Sequence, residues 1–379
     1  MTVIANSVDE RLAAKRALPR MLFDYVDGGS YDEVTLRRNV EDFRTIALRQ
    51  RVMRDVSTLD TATELFGRPL SMPVMLGPVG FAGMFARRGE RLAARAAEAA
   101  GVPFVLSTLS ICPLEEVCAA VDQPIWYQLY MIKDRGFMET VLARCETAGV
   151  PALVFTVDLP VGGSRYRDIR SGFSGRLPPL AEAARIADIA ARPRWLWDVA
   201  LNGRPLQFGN IVEAVPDGQL GDFSAWIHRN FDATLTWDHI AWIRERWDRP
   251  IIVKGVLDAE DARRAVEAGA DGIVVSNHGG RQLDGALSSV RALPAVAEAV
   301  DGRIPILMDG GVRSGLDVLK AMALGASACL IGRNWAFALA AGGEAGVRAM
   351  LERMRAELHV AMALTGCTDV KAAGRNLLA

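Results

Sequence analysis

The sequence predicts an α/β protein built on a closed barrel of eight parallel strands, with a helical extension before the barrel and a long insertion after its fourth strand. From residue 73 onward, short apolar runs alternate with amphipathic stretches, which is typical of repeated strand–helix units. Several helical stretches end on a glycine just before the next apolar run, where glycine suits the left-handed residue that ends a helix. No Gly-x-Gly-x-x-Gly follows a predicted strand, so an open dinucleotide-binding sheet is disfavoured.

The predicted elements cover most of the chain. The eight predicted strands are residues 74–78, 104–107, 125–129, 153–157, 251–254, 272–276, 306–308 and 328–332. The predicted helices between them include residues 90–100, 114–120, 135–148, 259–268 and 315–324. We interpret residues 1–379 as a single domain, with an N-terminal extension over 1–72, the barrel over 73–345 and C-terminal helices over 346–379.

The insertion lies between the fourth and fifth predicted strands, from about residue 170 to about residue 235, and is rich in arginine, proline, glycine and tryptophan. Loops of this length in a compact domain are usually functional or mobile. Its tryptophans, Trp195, Trp197 and Trp226, and its arginines are typical of a lipid interface. The same residues are equally typical of packing against the barrel or a neighbouring subunit, so both interpretations stay open.

Composition excludes several classes of function. A formal net charge of −1, from 44 basic and 45 acidic residues without a basic cluster, argues against a nucleic-acid partner. The five cysteines lie far apart and form no metal-binding motif or disulfide framework. Charged residues interrupt the N-terminus, and no apolar run approaches the length of a membrane span. We therefore expect a cytoplasmic protein, or one attached peripherally to the cytoplasmic face of the inner membrane.

The chemistry of such a barrel lies at the carboxyl ends of its strands, and here those ends are polar. The residues at the ends are Val79, Gly80, Ser107, Gln128, Tyr130, Thr156, Asp158, Lys254, Ser276, His278, Asp309, Gly310, Gly311, Gly332 and Arg333. Any one of the polar side chains could serve only as a helix cap or turn residue. Polar side chains at seven of the eight ends indicate a functional site.

Two strand ends are typical of a phosphate site. Residues 309–315, with Gly310, Gly311 and Arg313, open the helix after the seventh strand, and Gly332-Arg333 opens the helix after the eighth. Backbone N–H groups at helix starts, together with arginines, can bind a dianion. The pattern does not distinguish a cofactor from a sugar phosphate.

The two other informative strand ends carry Lys254 and His278. Lys254 could stabilise a heterocycle that becomes anionic on reduction, such as a flavin, or it could form a Schiff base as in aldolases. His278 and Arg281 are three residues apart in the run Ser276-Asn277-His278-Gly279-Gly280-Arg281. A general base beside a guanidinium that can pair with a carboxylate is the equipment for oxidising a 2-hydroxy acid, although a strand-ending turn with a hydrogen-bonded histidine is the simpler alternative.

Over nearly its whole length the chain resembles the FMN-dependent 2-hydroxy-acid dehydrogenases and oxidases, the family of glycolate oxidase, mandelate dehydrogenase and bacterial respiratory L-lactate dehydrogenase. The resemblance is carried by Tyr25 within residues 24–29, by Arg165, and by residues 126–130, 156–160, 253–255, 276–284 and 309–333. Residues 36–42 and 111–117 look closest to the quinone-linked L-lactate dehydrogenases.

The resemblance implies a (β/α)8, or TIM, barrel with FMN as cofactor, and it implies a role for each site residue. His278 would be the base, Asp158 would hold its imidazole, and Tyr130 would hydrogen-bond the substrate hydroxyl. Arg281, with Arg165 and Tyr25, would bind the substrate carboxylate. The residues implied to bind FMN are Val79, Gly80, Ser107, Gln128, Thr156, Lys254, Ser276, Asp309, Gly310, Gly311, Arg313, Gly332 and Arg333.

The implied activity is oxidation of L-lactate to pyruvate, with electrons passed to a respiratory quinone or a separate cytochrome, by a homo-oligomer, a tetramer in this family. Alternatives are an oxygen-using 2-hydroxy-acid oxidase, an (S)-mandelate dehydrogenase and, outside the family, a non-redox aldolase or isomerase. Gly80 and Leu109 stand where many oxidases of the family have alanine and a bulky aromatic residue, so glycolate oxidase chemistry does not transfer directly. Whether the substrate Cα hydrogen leaves as a hydride or as a proton taken by His278 stays open.

Overall fold

The computed structural model describes residues 3–212 and 223–379. The strands are β1 (Thr63–Leu65), β2 (Arg68–Leu70), β3 (Val74–Leu76), β4 (Val105–Ser107), β5 (Trp126–Leu129), β6 (Leu153–Thr156), β7 (Ile251–Val256), β8 (Gly272–Val275), β9 (Ile306–Met308) and β10 (Ala328–Ile331). The helices before the fifth barrel strand are α1 (Ser7–Ala17), α2 (Arg20–Asp27), α3 (Val34–Thr45), α4 (Gly89–Ala99), α5 (Leu114–Cys118), α6 (Arg135–Thr147), α7 (Tyr166–Ser171), α8 (Pro179–Ala190), α9 (Pro193–Trp195), α10 (Phe223–Asn230) and α11 (Asp238–Arg244). The helices after it are α12 (Ala259–Glu267), α13 (Ser289–Val300), α14 (Gly315–Ala323) and α15 (Arg333–Thr365).

Strands β3 to β10 form one sheet in which all neighbours are parallel, in the order β3-β10-β9-β8-β7-β6-β5-β4. A parallel bridge between Leu76 and Phe104 joins the two outer strands and closes the ring. All eight predicted strands are therefore confirmed, and the predicted barrel is correct. The glycines predicted to end helices, Gly101, Gly149, Gly269 and Gly325, all have positive φ angles.

The barrel interior is a layer of apolar side chains that alternate with outward-facing residues along the strands. Met75, Trp126, Val154 and Leu307 belong to this interior cluster. The hairpin β1–β2 adds Leu65 and Leu70 to the cluster, and the ring of Phe66 packs edge-on against Trp126. The N-terminal extension is helical as predicted, but this hairpin, which caps the interior, was not anticipated.

The N-terminal helices reach the opposite, carboxyl-terminal rim. Helix α2 ends beside the loop after β8, where its last carbonyl groups accept hydrogen bonds from arginines. Helix α3 is joined to the same loop by a reciprocal pair of amide hydrogen bonds between Asn39 and Asn277. The extension is thus part of the wall of the barrel's rim.

The predicted insertion contains helices α8 to α10 and a π-helical turn, Leu196–Leu201, while residues 213–222 lie outside the described part of the chain. Its three tryptophans behave differently. Trp195 donates a hydrogen bond from Nε1 to the carbonyl oxygen of Met84, and Trp226 is buried, whereas Trp197 is 69% exposed. Trp195 and Trp226 therefore follow the packing alternative, and only Trp197 is exposed enough to contact a lipid interface. Among the described residues, no helix is long and apolar enough to cross a membrane.

Helix α15 packs along α1, α4 and α14 and is broken at Gly343. At its closest contact with α14, a Cβ atom on Gly315 would lie 2.2 Å from the backbone of Met354 and Leu358. Only glycine allows this approach. The contact places the start of α14, and with it the loop after β9, against the C-terminal helix.

We predict that Gly315→Ala destabilises the protein by about 1–3 kcal/mol, the usual cost of overpacking a tight contact. The free energy of unfolding, measured by urea denaturation, checks this. The matched control is Gly342→Ala, also in a helix, where a Cβ atom would meet nothing within 4 Å; it should be neutral or slightly stabilising. Equal stability of the two variants would show that the α14–α15 contact is not tight.

Candidate active site

A cleft of about 1020 Å³, including the part open to solvent, lies at the carboxyl ends of the strands. The site residues predicted from the sequence that line this cleft are Tyr25, Val79, Gly80, Ser107, Tyr130, Thr156, Arg165, Lys254, His278, Arg281, Asp309, Gly310, Gly311, Arg313, Gly332 and Arg333. Three predicted residues, Gln128, Asp158 and Ser276, are not in the lining and contact lining residues from behind. The structure thus brings the whole predicted set together in one place.

At the centre of the cleft, His278 and Asp158 form a hydrogen-bonded pair, with Nδ1 of the imidazole 2.9 Å from Oδ1 of the carboxylate. Burial lowers the pKa of His278 below its usual value, against the opposing effect of Asp158. Burial would raise the pKa of Asp158, but the charge that His278 carries in acid and the charge of Lys254 outweigh burial and keep this pKa low. The pair therefore combines a neutral imidazole with an ionised carboxylate near pH 7, which is the state required of a general base.

Backbone geometry fixes both members of this pair. His278 itself has a φ of 55°, an unusual value for a residue with a side chain, and its N–H donates to Ser276 Oγ. On β7, Gly255 has a φ of 115°, and a Cβ atom there would lie 2.6 Å from the Cβ of Asp158. The pairing of β7 with β8 shifts register at this glycine. The irregular strand makes room for Asp158 behind the imidazole.

Lys254 is a buried cation at the end of β7. Its Nζ lies 3.0 Å from a carboxylate oxygen of Asp309 and donates to Ser276 Oγ. Burial would lower the pKa of Lys254, but the carboxylates of Asp309 and Asp158 outweigh it and raise the pKa above its usual value. A Schiff-base lysine must be neutral to attack, so this environment disfavours the aldolase alternative and favours a fixed positive charge.

Two buried polar groups at the ends of the neighbouring strands β5 and β6 have no hydrogen-bond partner: Nε2 of Gln128 and Oγ1 of Thr156, the residue paired with Lys254 on β7. Gln128 accepts a bond from Ser107 Oγ through its oxygen, which leaves the amide N–H groups directed elsewhere. Unsatisfied buried donors are rare in folded proteins and need an explanation. Donors at adjacent strand ends next to a cation match the polar edge of a flavin ring, so the residues present fit FMN.

The loop after β9 and the loop after β10, both predicted to bind phosphate, contribute glycine backbone and an arginine respectively. Gly310 and Gly311 have φ angles of 88° and 96°, and a Cβ atom on Gly311 would overlap the carbonyl of Asn39. The guanidinium of Arg333 donates to the carbonyl oxygens of Val26, Gly28 and Gly279. Burial lowers the pKa of Arg333 to about 9, and the charges of Arg281 and Arg313 add to this effect. The loops therefore concentrate positive charge that an anion would stabilise.

Two further arginines of the cleft, Arg281 and Arg165, lie near Tyr25. Nη1 of Arg281 donates to the carbonyl oxygens of Tyr25 and Gly28, and its guanidinium carbon lies 4.7 Å from the centre of the Tyr25 ring. Arg165 donates to the carbonyl oxygen of Arg281. Burial lowers the pKa of Arg165 to about 10, and the charge of Arg281 lowers it further. Two arginines and a tyrosine hydroxyl at one end of the cleft can bind a carboxylate.

The side of the cleft near Tyr130 is apolar. Its lining includes Leu109, Leu159 and Ile227, and Tyr130 packs against Phe231, with ring centroids 4.8 Å apart. Leu159 and Ile227 were not predicted as site residues. Ile227 lies in α10, which has no strand-end signal, because an insertion's position relative to the barrel cannot be read from periodicity.

The insertion also contacts the residues that can bind a carboxylate, since the ring of Phe173 stacks on Tyr25 with centroids 4.3 Å apart. No site residue was predicted within the insertion, yet part of it packs against the site. Phe173, Ile227 and Phe231 pack on the site, and Asn210 donates a hydrogen bond to the carbonyl oxygen of Ser107, whereas α8 and the π-helical turn supply no residue to the cleft lining.

Comparison with known proteins agrees with this geometry. The curated L-lactate dehydrogenase of Pseudomonas aeruginosa is 57% identical over 370 residues, covering 97% of this chain and 96% of that protein. The L-lactate dehydrogenase of Caulobacter vibrioides is 55% identical over 378 residues, covering 100% and 98%. Among solved structures, monotopic membrane protein (S)-mandelate dehydrogenase matches with a TM-score of 0.93, 35% identity and full coverage of both chains. A mandelate oxidase matches with a TM-score of 0.85, 40% identity and coverage of 99% and 98%.

The family comparison covers almost the whole chain, from residue 14 to residue 379, and its description is FMN-dependent dehydrogenase. The matched range includes every residue that lines the cleft. The cofactor expected from the sequence, FMN, is therefore confirmed. The chain belongs to the FMN-dependent dehydrogenase family.

Proposed function

We propose that this protein is an FMN-dependent L-lactate dehydrogenase, which oxidises L-lactate to pyruvate and passes the electrons to a respiratory quinone. The observation that carries the proposal is the neutral His278, held by Asp158, in a cleft that also contains Arg281 and Arg165. The names of relatives at 55–57% identity over nearly the whole chain support lactate as the substrate. (S)-Mandelate is the second candidate, because the mandelate dehydrogenase structure has a TM-score of 0.93.

In this proposal FMN, when bound, accepts the two electrons that leave the substrate. The residues that would hold its ring and ribityl chain are Val79, Gly80, Ser107, Gln128, Thr156, Lys254 and Ser276. Those that would hold its phosphate are Gly310, Gly311, Arg313, Gly332 and Arg333, with Asp309 fixing Lys254. The ammonium of Lys254 contributes a fixed positive charge, which stabilises negative charge developing nearby without any rearrangement.

The substrate is oriented by its carboxylate. The backbone carbonyls of Tyr25 and Gly28 hold one side of the Arg281 guanidinium, so its orientation is set before the substrate binds. Arg165 and the Tyr25 hydroxyl would contribute further hydrogen bonds to the same carboxylate. Binding at this point directs the substrate's hydroxyl-bearing carbon toward His278 and Tyr130. Preorganisation of this kind lowers the entropic cost of reaching the reactive geometry.

His278 takes up the proton that the reaction releases. Because its pKa is lowered by burial, the imidazole is neutral at pH 7 and Nε2 is available. Protonation creates an imidazolium, which the Asp158 carboxylate stabilises through the 2.9 Å hydrogen bond to Nδ1. This role is the same whether the proton comes from the substrate hydroxyl or from Cα.

Membrane attachment is part of the proposal. The (S)-mandelate dehydrogenase with the same fold is described as a monotopic membrane protein. In this chain, the outer part of the insertion exposes Leu180, Ile186 and Trp197, which are 86%, 58% and 69% accessible. Apolar side chains of this kind, with arginines nearby, are typical of contact with the lipid interface. We propose peripheral attachment to the cytoplasmic face of the membrane by a homo-oligomer of this single-domain chain.

We predict that His278→Gln retains FMN but reduces the rate of flavin reduction by lactate about 10²–10⁴-fold, the usual contribution of general acid–base catalysis. Anaerobic stopped-flow absorbance of the flavin measures this rate. In the unsubstituted enzyme, kcat/KM should fall on the acid side only below the ordinary pKa of histidine, because burial lowers the pKa of His278. His239→Gln, outside the cleft, is the control. Near-native bleaching in His278→Gln would remove His278 from the mechanism.

We predict that Arg281→Lys weakens lactate binding and slows flavin reduction although the charge is kept. Lysine cannot donate to the Tyr25 and Gly28 carbonyls and pair with a carboxylate at the same time. The expected change is about tenfold or more in kcat/KM, the value of one charge-assisted hydrogen bond. Arg170→Lys, an exposed arginine that lies over the Tyr166 ring, is the control. Equal kinetics in both variants would show that Arg281 does not bind the carboxylate.

We predict that changing Leu180, Ile186 and Trp197 together to serine lowers binding to vesicles of anionic and neutral phospholipids severalfold, because exposed apolar area drives interfacial binding. Flavin reduction by lactate should not change. The matched control replaces Val52, Met53 and Val360, exposed apolar residues outside the insertion, with serine. The membrane proposal fails if both triple variants sediment with vesicles to the same extent as the original protein.

A further inference from the structure

A second cavity lies on the far side of the carboxylate-binding residues, between the barrel and the insertion. It measures about 1110 Å³, including the part open to solvent, and we call it the insertion slot. Its lining is Met21, Phe81, Met84, Gly172, Phe173, Gly175, Arg176, Leu177, Glu182 and Arg185. None of these residues has a role in binding lactate or FMN in the proposal above. The lining is apolar or glycine except for Arg176, Glu182 and Arg185, a composition typical of small-molecule sites.

One layer of aromatic rings separates the slot from the cleft. Tyr25, which lines the cleft, stacks on Phe173 at 4.3 Å and meets Phe81 edge-on at 5.1 Å between ring centroids. Phe81 and Phe173 in turn line the slot. On the cleft side, a Cβ atom on Gly80 would lie 3.2 Å from the Tyr25 hydroxyl oxygen. A molecule in the slot is therefore about one ring thickness from the residues that would surround the cofactor.

Arg185 supplies an unused hydrogen-bond donor to the slot. Its two terminal nitrogens are occupied, Nη1 by the carbonyl oxygen of Gly172 at 3.4 Å and Nη2 by Glu182. Its Nε is buried and has no partner. A buried N–H without an acceptor is costly unless a ligand satisfies it. A ligand group that pairs with this Nε–H would be an uncharged hydrogen-bond acceptor, because Glu182 already balances the positive charge of Arg185.

Helix α8 supplies Glu182 and Arg185 to the slot and also carries exposed apolar side chains. Leu180 and Ile186 are on the same helix as Arg185 and are accessible to solvent. An occupant with an apolar tail could leave the slot along these side chains. A carbonyl acceptor on a flat ring, joined to an apolar tail, is the chemistry of an isoprenoid quinone.

We propose that the insertion slot binds the head group of an isoprenoid quinone, with one quinone carbonyl oxygen accepting a hydrogen bond from Arg185 Nε. This inference rests on the proposed lactate dehydrogenase function. The net reaction balances: L-lactate loses two electrons and two protons to become pyruvate, and the quinone gains two electrons and two protons to become the quinol. The aromatic layer of Tyr25, Phe81 and Phe173 keeps the two substrates apart while holding them close enough for electron transfer.

The test compares Leu177→Trp, which fills the slot, and Arg185→Gln, which removes the donor, with two matched controls. Leu364→Trp, at an exposed leucine of α15, and Arg170→Gln make the same chemical changes outside the lining. Turnover is measured with lactate and either decylubiquinone in detergent or a soluble dye as acceptor. The two slot variants should raise the KM for decylubiquinone about tenfold, the effect of losing one good hydrogen bond or of steric exclusion. Dye turnover, anaerobic flavin reduction and both controls should stay unchanged.

A second measurement on the unsubstituted holoenzyme does not depend on any variant folding. An azido-substituted ubiquinone is photolysed with the protein, and the labelled peptides are identified by mass spectrometry. The inference expects label within residues 172–185 or at Met21 or Met84, reduced by excess decylubiquinone. Label confined to other peptides, or an unchanged KM for decylubiquinone in both slot variants, would overturn it. Failure of lactate to reduce the flavin would instead contradict the proposed function, whatever the labelling shows.

Discussion

The concentration of buried positive charge at one rim of the barrel is the constraint on which the rest of the site depends. Lys254, Arg165, Arg281, Arg313 and Arg333 all line a single cleft. Burial lowers the pKa of Arg333 to about 9 and of Arg165 to about 10, so the free protein carries a cost that bound anions remove. A substrate carboxylate and a cofactor phosphate are the anions that this arrangement fits.

The protein keeps these cations in place mainly with backbone carbonyl groups. The C-terminal end of α2, with the residue that follows it, provides carbonyls of Tyr25, Val26 and Gly28 to Arg281 and Arg333. A helix C-terminus carries partial negative charge and suits arginine without neutralising it fully. The guanidinium groups are thus oriented while their charge stays available to a ligand. This explains why an N-terminal helix outside the barrel takes part in the site.

The barrel and most of the cleft's residues could be predicted from the sequence, because parallel strands in a barrel end at the same rim. Once the eight strands were placed, polar residues at their ends had to converge, as His278 and Lys254 do. Other features depend on contacts between distant segments. The hairpin that caps the interior, the approach of Ile227 to the cleft and the packing of Trp226 all come from segments without strand-end signals. Their positions are set by tertiary packing, which residue spacing does not encode.

The central claim is that the cleft oxidises a small 2-hydroxy acid, L-lactate, with FMN as the electron acceptor. The most direct measurement mixes the purified holoenzyme anaerobically with L-lactate, glycolate or (S)-mandelate and follows the loss of flavin absorbance. The account predicts rapid bleaching by L-lactate, with a higher ratio of reduction rate to dissociation constant than for the other two acids. Absence of bleaching by L-lactate, or faster reduction by mandelate or glycolate, would contradict it.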